Sequence, residues 1–187
     1  METKVVTGKV RLSYVNIFKP KKFNENDEEK YSVCVLIDKN DKQTLDKINR
    51  AVKAAIEEGI SSKWGGKKPA KLKLPLRDGD EERADEAAEY EGMYFLNANS
   101  KQQPGIVDRK REEIFDSTEV YSGCYGRVSV NFYPYNFNGS KGVAVGLNHV
   151  QKLEDGEPLG ASRASAESDF SDVDFDDLDD DITGMLG

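Results

Sequence analysis

The amino-acid sequence predicts a mainly β chain: an OB-fold-like five-stranded barrel with one main α-helix, long loops and a disordered acidic C-terminal tail. Three observations carry this reading. Five segments are rich in β-branched and aromatic residues and alternate between apolar and polar positions, the mark of strands with one buried face. A single segment has helical periodicity. The final stretch holds acids and scattered apolar residues without one cation. Five strands and one helix suit a small, highly curved barrel. A β-sandwich is the alternative packing of the same strands.

Residues 4–18, KVVTGKVRLSYVNIF, read as one long strand with Gly8 at a bulge or bend. The polar run KPKKFNENDEEK is a loop, and YSVCVLI, 31–37, is the second strand. In DKNDKQTLDKINRAVKAAIEEG, Leu45, Ile48, Val52, Ala55 and Ile56 recur at helical spacing. Asn40 or Asp41 caps that helix and Gly59 stops it. Residues 61–91 are irregular, basic first and acidic second, and a loop of that length is often functional. MYFLNAN, 93–99, is the third strand, followed by a short one at 106–107. Residues 124–135 and 143–153 are the last two strands, joined by a turn at GSKG, 139–142. The domain boundary falls between a barrel, 1–157, and a tail, 158–187.

The net charge is −8, which on its face argues against a polyanionic ligand. Its distribution reverses that. Nine of the 35 acidic residues and none of the Lys and Arg lie in 164–187, so the body before the tail is close to neutral. Such asymmetry suits a nucleic-acid protein or an interaction tail. No apolar run reaches the ~20 residues of a membrane span, and the start, METKVVTGKV, lacks the apolar stretch of a signal peptide. Cys34 and Cys124 fit neither a disulfide framework nor a CxxC metal site, so a reducing, cytoplasmic compartment is expected.

The most informative segment is CYGRVSVNFYPYN, 124–136. Val128, Val130 and Phe132 occupy one face of the strand. Tyr125, Arg127, Ser129, Asn131, Tyr133 and Tyr135 occupy the other. The second face is either a solvated or packed sheet face, or a platform on which bases stack while cations follow phosphates. Tyr14, Phe18, Tyr94 and Tyr121 are candidates to extend it. A second segment, KWGGKKPAKLK, sets Trp64, the sole tryptophan, among Lys63, Lys67, Lys68, Lys71 and Lys73. Trp64 is either a plug in the barrel or an aromatic anchor in a cationic strip. A third, DRKRE, adds Arg109, Lys110 and Arg111. In the tail, Phe170, Phe175 and Ile182 stand among Asp174, Asp176, Asp177, Asp179, Asp180 and Asp181, a pattern suited to docking on basic, apolar pockets or to lying across a basic groove.

Metal and catalytic signatures fail on inspection. Asp172, Asp174 and Asp176 resemble the start of a Ca²⁺ loop, but Asp177 stands where that loop needs Gly and Thr183 where it needs Glu. His149, the sole histidine, lies on a strand and reads as structural. P-loop, nucleophile-elbow and HExxH patterns are missing. The expectation is a non-enzymatic protein without metal or cofactor.

Taken in order, KWGGKKP, YEGMYFLNANSKQQPGIVD, VYSGCYGRVSVNFYPYN and GVAVGLNHVQKLEDGEPLG resemble the phage and prophage single-stranded DNA-binding proteins, an OB-fold family once filed as a domain of unknown function. The resemblance spans about residues 4–155. It implies sequence-tolerant binding of single-stranded DNA during phage replication and recombination. The tail is similar to bacterial SSB tails in its DDLDDDI run and departs from them in ending TGMLG without the terminal Pro-Phe. That departure points to a phage-encoded replication or recombination protein as its partner. On this reading Lys63, Lys67, Lys68, Lys71, Lys73, Arg109, Lys110, Arg111 and Arg127 neutralise phosphates. Trp64, Tyr125, Tyr133 and Tyr135 stack bases, and the tail recruits partners and competes for the groove. The alternatives are an RNA-binding OB protein and an acidic-tailed adaptor that binds a protein.

Overall fold

The computed structural model describes residues 2–159. The strands are β1 (Lys4–Val6), β2 (Val10–Lys21), β3 (Lys30–Asp38), β4 (Arg77–Asp78), β5 (Met93–Ser100), β6 (Gly105–Val107), β7 (Tyr125–Phe137) and β8 (Ser140–Glu154). The main helix is α1 (Lys42–Ser62) and a single turn, α2, spans Gly79–Glu82. Hydrogen bonding runs β2-β3-β5-β8-β7 and returns to β2, so five strands close on themselves. β5 and β8 are parallel while the other neighbours in the ring are antiparallel. Closure removes the sandwich alternative, because a closed ring leaves its strands no edge.

Alternation places the core inside this ring. On β7 the buried residues are Gly126, Val128, Val130, Phe132 and Pro134, every second position. On β8 the buried apolar side chains are Val143, Val145 and Leu147, then Val150. The change of phase is a bulge, since Ser129 pairs with His149 while Val130 pairs with Leu147. α1 contributes Leu45, Ile48, Ala51 and Ala55 to the same core, which is why those residues sit at helical spacing.

Three expectations change. The strand expected over 4–18 is two strands. Gly8 N–H donates to Thr44 Oγ1 (3.0 Å), tying the break between β1 and β2 to the start of α1. β1 then pairs with β7, outside the ring. The helix passes through Gly59 to Ser62, and a Cβ on Gly59 would lie 2.6 Å from the Trp64 ring and 2.7 Å from Pro134. Gly59 is a close-packing glycine, not a stop. The turn expected at 139–142 is tighter: Asn138 and Gly139 both have positive φ (50° and 83°), the geometry a two-residue hairpin needs. The start is capped as expected, with Asp41 accepting from Thr44 N–H.

The loop over 61–91 is organised by two anchors. Lys73 exchanges backbone hydrogen bonds with Lys141 and Val143, both 3.0 Å. Residues 79–92 cover the outer face of β3 and β5, where Cys34, Leu36, Tyr90 and Phe95 form a second apolar cluster. Tyr90 and Phe95 meet edge to face at 5.1 Å, a favoured aromatic geometry.

Candidate nucleic-acid interface

The polar face of β7 is on the outside of the barrel. Tyr125, Arg127, Ser129 and Asn131 are half-buried, Tyr133 is 41% exposed, and Tyr135 is half-buried. Each has a distinct setting. Lys9 and Arg11 stand over the Tyr125 ring at 4.9 and 5.5 Å, a cation–π pair that occupies its face. Arg127 Nε donates to the Thr7 carbonyl (2.9 Å), which fixes the guanidinium beside the strand. Asn131 Oδ1 accepts from Thr3 Oγ1 (3.1 Å). Tyr135 lies over Gly142, where a Cβ would come within 2.8 Å of its hydroxyl.

Trp64 corrects the sequence expectation. It is 6% exposed, and its indole N–H donates to the Tyr135 carbonyl (3.0 Å). Its ring packs on Gly59 at the end of α1. A ring this buried offers no free face for a base. The end of α1 buries it, so of the two readings of Trp64 the packed one describes its place. Around it Lys63, Lys67, Lys68, Lys71 and Lys73 are all exposed.

Arg109, Lys110 and Arg111 crown a tight turn. Asp108 Oδ1 accepts from the backbone of Lys110 (2.8 Å) and Glu112 (3.0 Å), and Arg111 takes φ 68°. Gln151 Nε2 donates to the Asp108 carbonyl (3.2 Å), and Gln151 pairs with Arg127 across the β7–β8 ladder. The turn and Arg127 therefore share one end of the face. Trp64 and its lysines hold the other, at Tyr135. Eight residue steps along the strand separate Arg127 from Tyr135, about 27 Å.

Electrostatics separates these cations from others on the surface. Lys39 bridges Asp78 and Asp80 at 2.7 Å each and Arg77 bridges Glu82 at 2.8 Å. Lys39 holds both its carboxylates below their ordinary range. Among the described residues none of Lys63, Lys67, Lys68, Lys71, Lys73, Arg109, Lys110, Arg111 or Arg127 is in an ion pair. They carry uncompensated charge at both ends of the strand.

Strand pairing joins residues that the sequence left scattered, some of them not singled out there. Ladder register strings Asn16, Ser32, Asn99, Gly146 and Asn131 into one row across five strands, ending at Lys4 on β1. Their parity puts them all on the outer face, opposite Ile17, Val33, Ala98, Val145 and Val130. The signal was present as the polar positions of each strand; only pairing aligns them. Phe23 in the β2–β3 loop and Phe137 at the β7–β8 turn are 60% and 71% exposed. The pattern KPKKF, cations beside an aromatic, was the available clue to the first. Tyr14 is 67% exposed and takes φ 46° at a bulge in β2. By contrast Phe18, Tyr94 and Tyr121 pack against the core, and His149 Nδ1 accepts from Gly105 N–H (3.1 Å), pinning β6. The tail residues Phe170, Asp174, Phe175, Asp176, Asp177, Asp179, Asp180, Asp181 and Ile182 lie outside the described residues.

The strand order of the closed ring is that of an OB barrel. A family model built on the single-stranded DNA-binding protein of Enterobacter phage Enc34 matches residues 3–183, and the chain belongs to that family. It is 31% identical over 180 residues to protein p50 of Acyrthosiphon pisum secondary endosymbiont phage 1, covering 91% of this chain and 94% of p50. It superposes on the bacteriophage Enc34 single-stranded DNA-binding protein in complex with ssDNA with a TM-score of 0.75 at 27% identity, over 84% of this chain and 90% of that one. It also shares its fold with gp2.5, the single-stranded DNA binding protein encoded by bacteriophage T7: TM-score 0.60, 16% identity, 94% of this chain and 97% of that one.

Proposed function

We propose that this chain binds single-stranded DNA with little sequence preference, along the outer face of β7 and the basic segments at its two ends, in phage DNA replication or recombination. The observation that carries the proposal is the joining of unpaired cations at both ends of β7 to an outward row of amide and aromatic side chains between them. Phosphates are charged and regularly spaced, so free cations bind them with counterion release. Bases are flat and offer a π-face whatever their identity, so exposed aromatics hold them without reading them. In this reading Lys63, Lys67, Lys68, Lys71, Lys73, Arg109, Lys110, Arg111 and Arg127 follow the backbone. Tyr133 and Tyr135 stack bases, and Tyr125 sets the positions of Lys9 and Arg11. Trp64 holds the lysine-bearing loop against β7. Membership of the family of the Enc34 ssDNA-binding protein, and the likeness to a relative solved with ssDNA, support the same ligand. Binding of this kind asks for no catalytic group. The acidic tail, in the same proposal, recruits replication or recombination proteins and competes with DNA for the basic surface.

The test is a titration of fluorescein-labelled oligo-dT, with duplex DNA and oligo-U of equal length alongside, over a range of salt. Binding to oligo-dT alone, with a log–log salt slope near about −3.5 for some five phosphates, is the expected result. Preference for oligo-U moves the reading to RNA. No shift with any nucleic acid moves it to a protein adaptor.

A further inference from the structure

A cleft lies beside β1, just past the end of the row described above. It has a volume of about 700 Å³ and opens between β1 and α1, where Lys4 faces Lys47, Arg50 and Lys53. Val6, 40% exposed, lies on its wall, and Glu2 is its sole carboxylate. None of the four cations is in an ion pair among the described residues. Lys47, Arg50 and Lys53 recur every three residues along the helix, so the outer two are about 9 Å apart along its axis.

We infer that this cleft is a second tract for the backbone of single-stranded DNA, which continues onto it from the outer face of β7. The inference rests on the proposed function and extends its footprint. Continuity is the first argument. Lys4 pairs with Asn131, the last residue of the row that crosses the barrel, so a strand leaving that row meets Lys4 next. Charge is the second: four cations against one carboxylate attract a polyanion. The third concerns the alternative occupant, an acidic peptide added as a strand to the free edge of β1. In an antiparallel pair alternate residues turn their backbone groups to the partner. The Thr3 carbonyl and Thr7 N–H bond β7, so Lys4 and Val6 turn theirs outward. Lys47 Nζ already sits 3.4 Å from the Val6 carbonyl, capping the edge where such a strand would bind. A cation on that carbonyl blocks strand addition and leaves the cleft positive.

The experiment compares the full-length protein with the triple variant Lys47→Gln/Arg50→Gln/Lys53→Gln. Far-UV circular dichroism and melting come first, and Lys53→Gln alone serves if the triple variant melts early. Both are titrated with oligo-dT from the shortest length the wild type binds up to about 30 nucleotides. The expected result is affinity within twofold on the shortest oligomer and a loss of tenfold or more on the longest. The salt slope on the long oligomer alone should flatten by about 2, for three phosphate contacts. A loss equal at all lengths reflects a general field effect and overturns the proposal. No loss at any length also overturns it and leaves the cleft to an acidic protein partner. A wild type that binds no oligo-dT overturns the functional reading itself, a separate result.

Discussion

The indole N–H of Trp64 is bonded to the carbonyl of Tyr135 at 3.0 Å, so the last turn of α1 and the outer end of β7 are locked together through one hydrogen bond and one buried ring. The lysine-rich segment that follows Trp64 is thereby delivered to the end of the β7 face. Its return is secured at Lys73 by backbone bonds to Lys141 and Val143. The aromatic of that segment holds it in place, and its lysines face solvent.

Replacing Trp64 therefore acts on stability first. Trp64→Ala should cost roughly 3–5 kcal/mol, the range for a large aromatic removed from a packed site. Trp64→Phe keeps most of the volume, so it should lose less and bind oligo-dT nearly as wild type. Urea denaturation and a binding titration on the same samples check this. A fully stable Trp64→Ala protein with lost affinity would return Trp64 to the binding face.

The turn that carries Arg109, Lys110 and Arg111 is held by backbone bonds to Asp108, so alanine at the three tips should leave the fold alone. Each phosphate contact removed should flatten the single-strand salt slope by about 0.7. The triple alanine variant is expected to lose one to two units of slope, with no change in melting temperature. An unchanged slope would take the turn out of the interface.

Tyr14 separates strain from function. It is a β2 residue with φ 46° and an exposed ring, and glycine adopts that backbone without penalty. Tyr14→Gly should melt no lower than wild type while weakening oligo-dT binding by the roughly 1–3 kcal/mol of one stacked base. Phe137→Ala at the β7–β8 turn should do the same. Undiminished affinity in either would remove that ring from the platform.

Cys34 links pH to the outer cluster. Burial pushes its thiol up to about 11, with the Tyr90 hydroxyl contact opposing the rise. The folded value lies above that of an unfolded thiol, about 8.5. The stabilisation is thus complete below about 8.5 and is lost as pH rises toward 11. Urea midpoints at pH 7 and 10 should fall further for wild type than for Cys34→Ala. Thiol reagents at neutral pH should label Cys34 and Cys124, both buried, only on denaturation. Rapid labelling of the native protein would contradict the burial.

Most of the fold was legible because alternation and helical period are local. Val128, Val130 and Phe132 announced the inner face of β7, and Leu45, Ile48 and Ala55 announced α1. What escaped was non-local. Gly59 reads as a helix stop until the Trp64 ring is seen to fill the space a Cβ would need. Asn16 and Asn99 read as ordinary polar strand positions until pairing sets them in one row with Asn131.

The sequence alone determined the inner face of β7, the core face and start of α1, and that positive charge is grouped in segments of the body while the tail carries acids alone. Each follows from neighbours within a few positions along the chain. Tertiary structure decided which aromatics face solvent, which cations go unpaired, and which segments meet at the ends of β7. Those depend on ladder register and on packing between residues far apart in the chain, such as Trp64 and Tyr135 or Arg127 and Gln151. A strand's period is written in its own residues; its partner's position is set by the closure of the whole ring.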